Sequence, residues 1–155
     1  MFNSLLEMSG RCSQVILSSQ LVYSPFRYLV IDEFISHSLL QQCLCEALEV
    51  DISSNYGIAK DKRCEFRKLA FFPHVVGPIF NQIAINLCSP QVVNAIAEKF
   101  SYKGLVADPT YYGGGLHMTM PGGILGIHRD FNIHHDLNLR RVANLILFLN
   151  DDWLY

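Results

Sequence analysis

His128 and Asp130 stand two apart in GIHRDFNIHHD (126–136), a stretch that holds three of the chain's six histidines. On an extended strand, residues i and i+2 point to the same face, about 6–7 Å apart along the chain. An imidazole nitrogen and a carboxylate oxygen placed in this way can converge on one ion, while Arg129 points away. Two members of a two-histidine, one-carboxylate facial triad are supplied in this manner; such a triad holds Fe(II) on one face and leaves the opposite positions open. Alone, H-x-D is a weak pattern, since a hydrogen-bonded loop pair is spelled the same way. His134 and His135 follow in what reads as a loop, and His117 precedes on a strand. Each is a candidate third donor. Their plainer readings are solvated loop residues for His134 and His135, and a surface or hydrogen-bonded strand residue for His117. His37, near a helix start, and His74, beside a proline, read as structural.

The elements that must position this pair can be read from periodicity. Leu116, Met118 and Met120 alternate with His117 and Thr119, which predicts a half-buried strand ending at a Pro121-Gly122-Gly123 turn. ILGIHRD (124–130) then reads as a second strand carrying the pair. VANLILFLN (142–150) is an almost continuous apolar run, predicted as a central strand covered on both sides. Arg140 and Arg141 enter that strand and read as an exposed charged edge.

Upstream, FRYLVID (26–32) reads as a short strand. Ser36 can cap a helix with Leu39, Leu40, Cys43, Leu44, Ala47 and Leu48 on one stripe. DISSNYGIAKDKRCEF (51–66) reads as a surface loop, and KLAFF (68–72) as a strand. Pro78 opens a helix with Phe80, Ile83, Ala84 and Leu87. Ser89 and Pro90 are an N-cap and a first-turn proline before Val92, Val93, Ile96, Ala97 and Phe100, with Gly104 as the stop. These stripes read as packing faces. Gly113 to Gly115 lack the Lys-Ser/Thr of a phosphate loop and open a strand rather than a helix. Helices first and antiparallel strands later predict an α+β chain, a jelly roll (double-stranded β-helix) buttressed by N-terminal helices. Residues 1–25 read as an N-terminal extension and 26–155 as the domain.

Of the 155 residues, 50% are apolar and 17% charged, which excludes a disordered tail and a coiled coil. A net charge of -2 without a basic run argues against a nucleic-acid partner. Cys12, Cys43, Cys45, Cys64 and Cys88 form no disulfide framework, and the C-x-C pair diverges on a helix, so reduced thiols in an intracellular protein are expected. SQVILSSQLVY (13–23) lacks the basic region and cleavage site of a signal peptide. No apolar run approaches the ~18 residues of a membrane span. A cytoplasmic protein without a membrane partner is expected.

The run YYGGGLHMTMPGGILGIHRDFNIHHDLNLRRVANLILFLNDDW (111–153) resembles the core of the Fe(II)- and 2-oxoglutarate-dependent dioxygenases, in their prolyl 4-hydroxylase-like branch. Met120-Pro121-Gly122, His128-Arg129-Asp130, Arg140-Arg141, Phe148-Leu149-Asn150 and Asp152-Trp153 follow the order of that branch, and FRYLVIDEFIS (26–36) resembles its opening strand and first helix. The resemblance implies Fe(II) on His128 and Asp130, 2-oxoglutarate as cosubstrate and ascorbate in support. The chemistry would be hydroxylation of an unactivated C–H bond in a protein, peptide or small-molecule substrate, coupled to decarboxylation of the cosubstrate to succinate. It also implies a cosubstrate contact from Asn144 and pocket walls from Met120, Leu125 and Phe148.

Two departures accompany the resemblance. The family commonly has Tyr where Phe148 stands, so a hydrogen bond worth about 1.5–3 kcal/mol to a charged group is missing. The family's distal histidine ligand, and the basic partner of the cosubstrate carboxylate, come after the point that matches Tyr155. The expectation is therefore part of a longer enzyme, with weak Fe(II) binding and poor or no turnover by itself. An uncovered VANLILFLN edge would invite self-association. A non-catalytic jelly-roll binding module or pseudo-enzyme is the alternative, and a cupin-like zinc site of His128, Asp130 and a loop histidine is a third reading.

Overall fold

The structure, a computed structural model, describes residues 2–53 and 65–150, with side chains from Glu7 onward. In chain order the elements are α1 (Phe2–Ser18), α2 (His37–Glu49), β1 (Glu65–Phe71), α3 (Pro73–Val76), α4 (Pro78–Leu87), α5 (Pro90–Phe100) and β2 (Leu116–Leu125). Among the described residues this is an α+β chain with one two-stranded antiparallel sheet.

The helices begin where capping chemistry puts them. Ser36 and Ser89 occupy N-cap positions in extended conformation, and Pro78 and Pro90 stand in the first turns of α4 and α5. The start of α4 also has a partner from another helix. The N–H groups of Ile79 and Phe80 donate to the two carboxylate oxygens of Glu46 in α2, at 3.0 and 2.7 Å. Gly77 leaves room for this contact, since a Cβ there would overlap that carboxylate. Helix α5 stops earlier than the predicted Gly104: Ser101 takes the left-handed conformation (φ 57°), and the Tyr102 N–H closes back on the Ala97 carbonyl at 2.8 Å.

Packing follows one face of each helix. Met8, Cys12 and Ile16 recur at i, i+4 and i+8 on α1 and meet Leu39 and Cys43 of α2, Ile83 of α4, and Val92 and Ala95 of α5. Helix α1 lies within the segment read as an N-terminal extension, and its buried face is part of the main core. A second cluster joins Ala47, Phe71, Val76 and Leu116, and Leu149 packs against both. The C-x-C pair diverges as expected, with Cys43 buried and Cys45 exposed. Cys64, most of the 51–66 loop, Asp152 and Trp153 lie outside the described residues.

Four strand expectations need correction. ILGIHRD (124–130) forms no strand of its own: Ile124 and Leu125 end β2, and His128 and Asp130 follow on irregular backbone. FRYLVID forms only an isolated bridge, Val22 with Tyr28, and Leu29 and Ile31 reach the core from irregular backbone. The Pro-Gly-Gly segment does not turn the chain. β2 runs through it, pairing Leu116–Thr119 with Lys68–Phe71 and then Ile124–Leu125 with Glu65–Phe66. The surplus residues bulge opposite Arg67, whose Nη1 donates to the Pro121 carbonyl at 2.9 Å, and Gly122 takes a positive φ of 74°. VANLILFLN forms no strand: a ladder needs a paired neighbour, and none of the described residues pairs with it. Leu147 and Leu149 turn to the core while Ile146 and Phe148 face outward. The described sheet is thus narrower than a jelly roll. No helix among the described residues is long and apolar enough to cross a membrane.

Candidate metal site and its supporting loop

β2 ends at Leu125, and the next residues deliver the pair that motivated the sequence reading. His128 Nδ1 lies 2.9 Å from the Gly126 carbonyl oxygen. A carbonyl only accepts, so this contact places the ring proton on Nδ1 and leaves the Nε2 lone pair free in the neutral ring. Nε2 faces Asp130 Oδ1 at 3.4 Å. A shared proton or a shared metal ion would each join such a pair. A charge-assisted N–H···O⁻ contact is about 2.7–2.9 Å, whereas bonds of about 2.1 Å to one ion, meeting at about 90–110°, put their donors about 3.0–3.4 Å apart. At 3.4 Å the pair is longer than a charge-assisted hydrogen bond and at the upper end of the span between two donors on one ion. A backbone carbonyl on the far nitrogen is also the usual way a ligating histidine is oriented.

The other oxygen of Asp130 is held separately. Arg141 Nη2 lies 3.2 Å from Oδ2, and Asn144 Nδ2 donates to the same oxygen at 3.2 Å. Arg141 Nε donates to Asn144 Oδ1 at 2.7 Å, which closes the triangle. The guanidinium also stacks 4.6 Å from the centre of the Phe131 ring. Asp130 therefore has one oxygen fixed by two donors and one turned to His128.

His134, expected to be a solvated loop residue, is buried at 5% exposure. Its Nδ1 accepts from the N–H groups of Asp136 and Leu137, both at 3.1 Å, so the ring proton is on Nε2. Nε2 lies 2.9 Å from Thr110 Oγ1, which donates to Asp108 Oδ1 at 2.7 Å. Partial burial pushes the Asp108 carboxyl up, but hydrogen bonds from the Thr110 hydroxyl and amide and from the Tyr112 amide, with His134 nearby, outweigh it. The group is held below the ordinary carboxylate range. With both nitrogens engaged, His134 offers no free donor atom to an ion.

His135 is exposed and paired with Asp136 at 2.6 Å. His117 stands on β2 opposite Ala70. It is exposed as a residue, yet partial desolvation of its ring and the charge of Lys68 hold its pKa below the usual histidine value. His74 stacks on Phe72. Among the described residues, no three His, Cys, Asp or Glu side chains converge as a metal-ligand set. His128 and Asp130 fit two positions of such a set.

Of the expected cosubstrate contacts, the structure brings Asn144 to the pair. Phe148 is 74% exposed, Leu125 is exposed at the end of β2, and Met120 is half-buried in the bulge. Arg141, expected at an exposed charged edge, is instead the cation on Asp130. Its one signal in the sequence is Phe131, an aromatic platform directly after the H-x-D motif. Asn132, Ile133, Asn138, Arg140 and Arg141 line an open cleft of about 490 Å³ beside it. Asp108 and Thr110 had a signal too, since D-P-T spells a turn in which Asp accepts the N–H two residues on. No protein-family model, curated protein or solved structure matches this chain.

Proposed function

We propose that the chain carries the metal-binding segment of an Fe(II)- and 2-oxoglutarate-dependent dioxygenase of prolyl 4-hydroxylase-like kind, built on a jelly-roll scaffold. One observation carries the reading: His128 Nε2 faces Asp130 Oδ1 at 3.4 Å while its Nδ1 is turned onto the Gly126 carbonyl. His128 and Asp130 would be two of the ligands, and Arg141 and Asn144 hold Oδ2 of the carboxylate, which leaves Oδ1 on the His128 side. Bound iron with 2-oxoglutarate would supply the oxidising power for C–H hydroxylation, with ascorbate in support; the protein's share is orientation and exclusion of water. Asn144, Phe148, Met120 and Leu125 are proposed to face the cosubstrate. The reading needs a third donor, and among the described residues no third His, Cys, Asp or Glu joins the pair. The substrate is a protein, peptide or small molecule.

Anaerobic addition of Fe(II) and then 2-oxoglutarate, followed by air and an assay for succinate, tests this. Weak Fe(II) binding that needs both His128 and Asp130, with little or no succinate, is expected of the 155 residues. Fe(II) binding indifferent to both side chains would sink the reading.

A second reading rests on Arg141. Its guanidinium already neutralises Asp130, so the pair can persist without a metal, as a non-catalytic binding module would have it. That module would take up neither Fe(II) nor 2-oxoglutarate.

A further inference from the structure

We propose that His134 is the positioning residue of the His128–Asp130 site, the side chain that folds the 132–141 loop so that Arg141 and Asn144 return onto Asp130. The proposal rests on the metal-site reading above and assigns His134 no contact with the ion.

The loop has little regular structure to fix its path, only the isolated bridge between Ile133 and Arg140. His134 supplies what is missing. Its ring nitrogen Nδ1 accepts from the Asp136 and Leu137 amides, its carbonyl from the Asn138 amide at 3.2 Å, and its own N–H donates to the Leu139 carbonyl at 2.8 Å. Every polar group of the residue is used. The ring is also anchored outside the loop, through Nε2, to Thr110 and so to Asp108.

Two routes lead from this ring to Arg141. One is the backbone, closed by the Arg141 N–H on the Asn132 carbonyl at 2.8 Å. The other is a run of ring contacts: His134 to Tyr112 at 5.0 Å, Tyr112 edge-on to Phe131 at 4.9 Å, and Phe131 beneath the Arg141 guanidinium. Both end on the residue that grips Asp130 Oδ2. Groups that orient a ligating carboxylate are worth about 10–100-fold in metal affinity.

The test is a Co(II) titration of the parent chain and of His134→Ala, His134→Asn and Thr110→Val, well below their unfolding temperatures. Hydrogen exchange of the Arg141 amide is measured alongside. His134→Ala is expected to lose about 10-fold or more in Co(II) affinity, to alter the visible Co(II) spectrum and to lose protection at Arg141. His134→Asn can still accept an N–H two residues on but cannot reach Thr110, so it recovers part of the loss. If His134→Ala does not fold, Thr110→Val carries the test, because it cuts the anchor and keeps the ring. A parent that binds no Co(II) removes the site reading and the proposal with it. A parent that binds, beside folded His134→Ala and Thr110→Val with parental affinity and spectrum, overturns the proposal alone.

Discussion

Arg141 Nη2 lies 3.2 Å from Asp130 Oδ2, a pairing across the whole histidine-bearing loop. Through it, a segment without regular structure acquires a defined end. It also sets the chemistry of the carboxylate, because an oxygen already committed to a guanidinium and an amide leaves the other free to face His128.

Replacing Asn144 by Ala removes one of those donors without changing charge. Calorimetric Co(II) titration should show affinity falling about 10-fold. Arg141→Ala removes a donor and also a repelling cation. At a partly exposed site that repulsion is about 1 kcal/mol, less than the about 1.4–2.7 kcal/mol that 10–100-fold represents. Binding should therefore still weaken; tighter binding by Arg141→Ala would contradict the orienting role.

Glu46 connects α2 to the first turn of α4 through two charge-assisted bonds. Glu46→Ala should cost about 1–2 kcal/mol, seen as a melting temperature lower by about 2–8 °C for a domain of this size. Glu46→Gln should lose less, since its amide still offers one acceptor.

The folded-state pKa of Asp108 lies below its unfolded value of about 3.9. The stability it contributes is therefore complete above the unfolded pKa and is lost as pH falls through the folded pKa. Melting temperature measured from pH 6 downward should fall more steeply below about pH 4 for the parent than for Asp108→Asn. Parallel curves would show that Asp108 has no such role.

Gly115 has φ +99°, and a Cβ there would overlap the Phe71 carbonyl at the end of the β1–β2 ladder. Gly115→Ala should destabilise by at least about 2 kcal/mol. Thermal unfolding within about 1 °C of the parent would contradict that close approach.

Helices α2, α4 and α5 were legible in the sequence because their signals are local. Ser36, Ser89 and the prolines mark starts, and periodic apolar residues mark the faces that pack. Helix α1 was missed because its buried residues Met8, Cys12 and Ile16 are separated by polar and small ones, a thin stripe easily read as patchiness. The strands fared worse, because pairing depends on partners far away in the chain. Pro-Gly-Gly spells a turn, yet here it is absorbed as a bulge opposite Arg67.

At the site, the His128–Asp130 spacing could be read because both residues belong to one short motif. The burial of His134 and the reach of Arg141 depend on Thr110 and on loop closure, which no spacing within the motif encodes.

The most direct test of the central claim is a Co(II) or Fe(II) titration of the parent chain beside His128→Ala and Asp130→Ala, under anaerobic conditions. One metal per chain in the parent, with affinity lost in both variants while their folds persist, is the result predicted. Equal binding by all three proteins, or none by the parent, would contradict a metal site at His128 and Asp130.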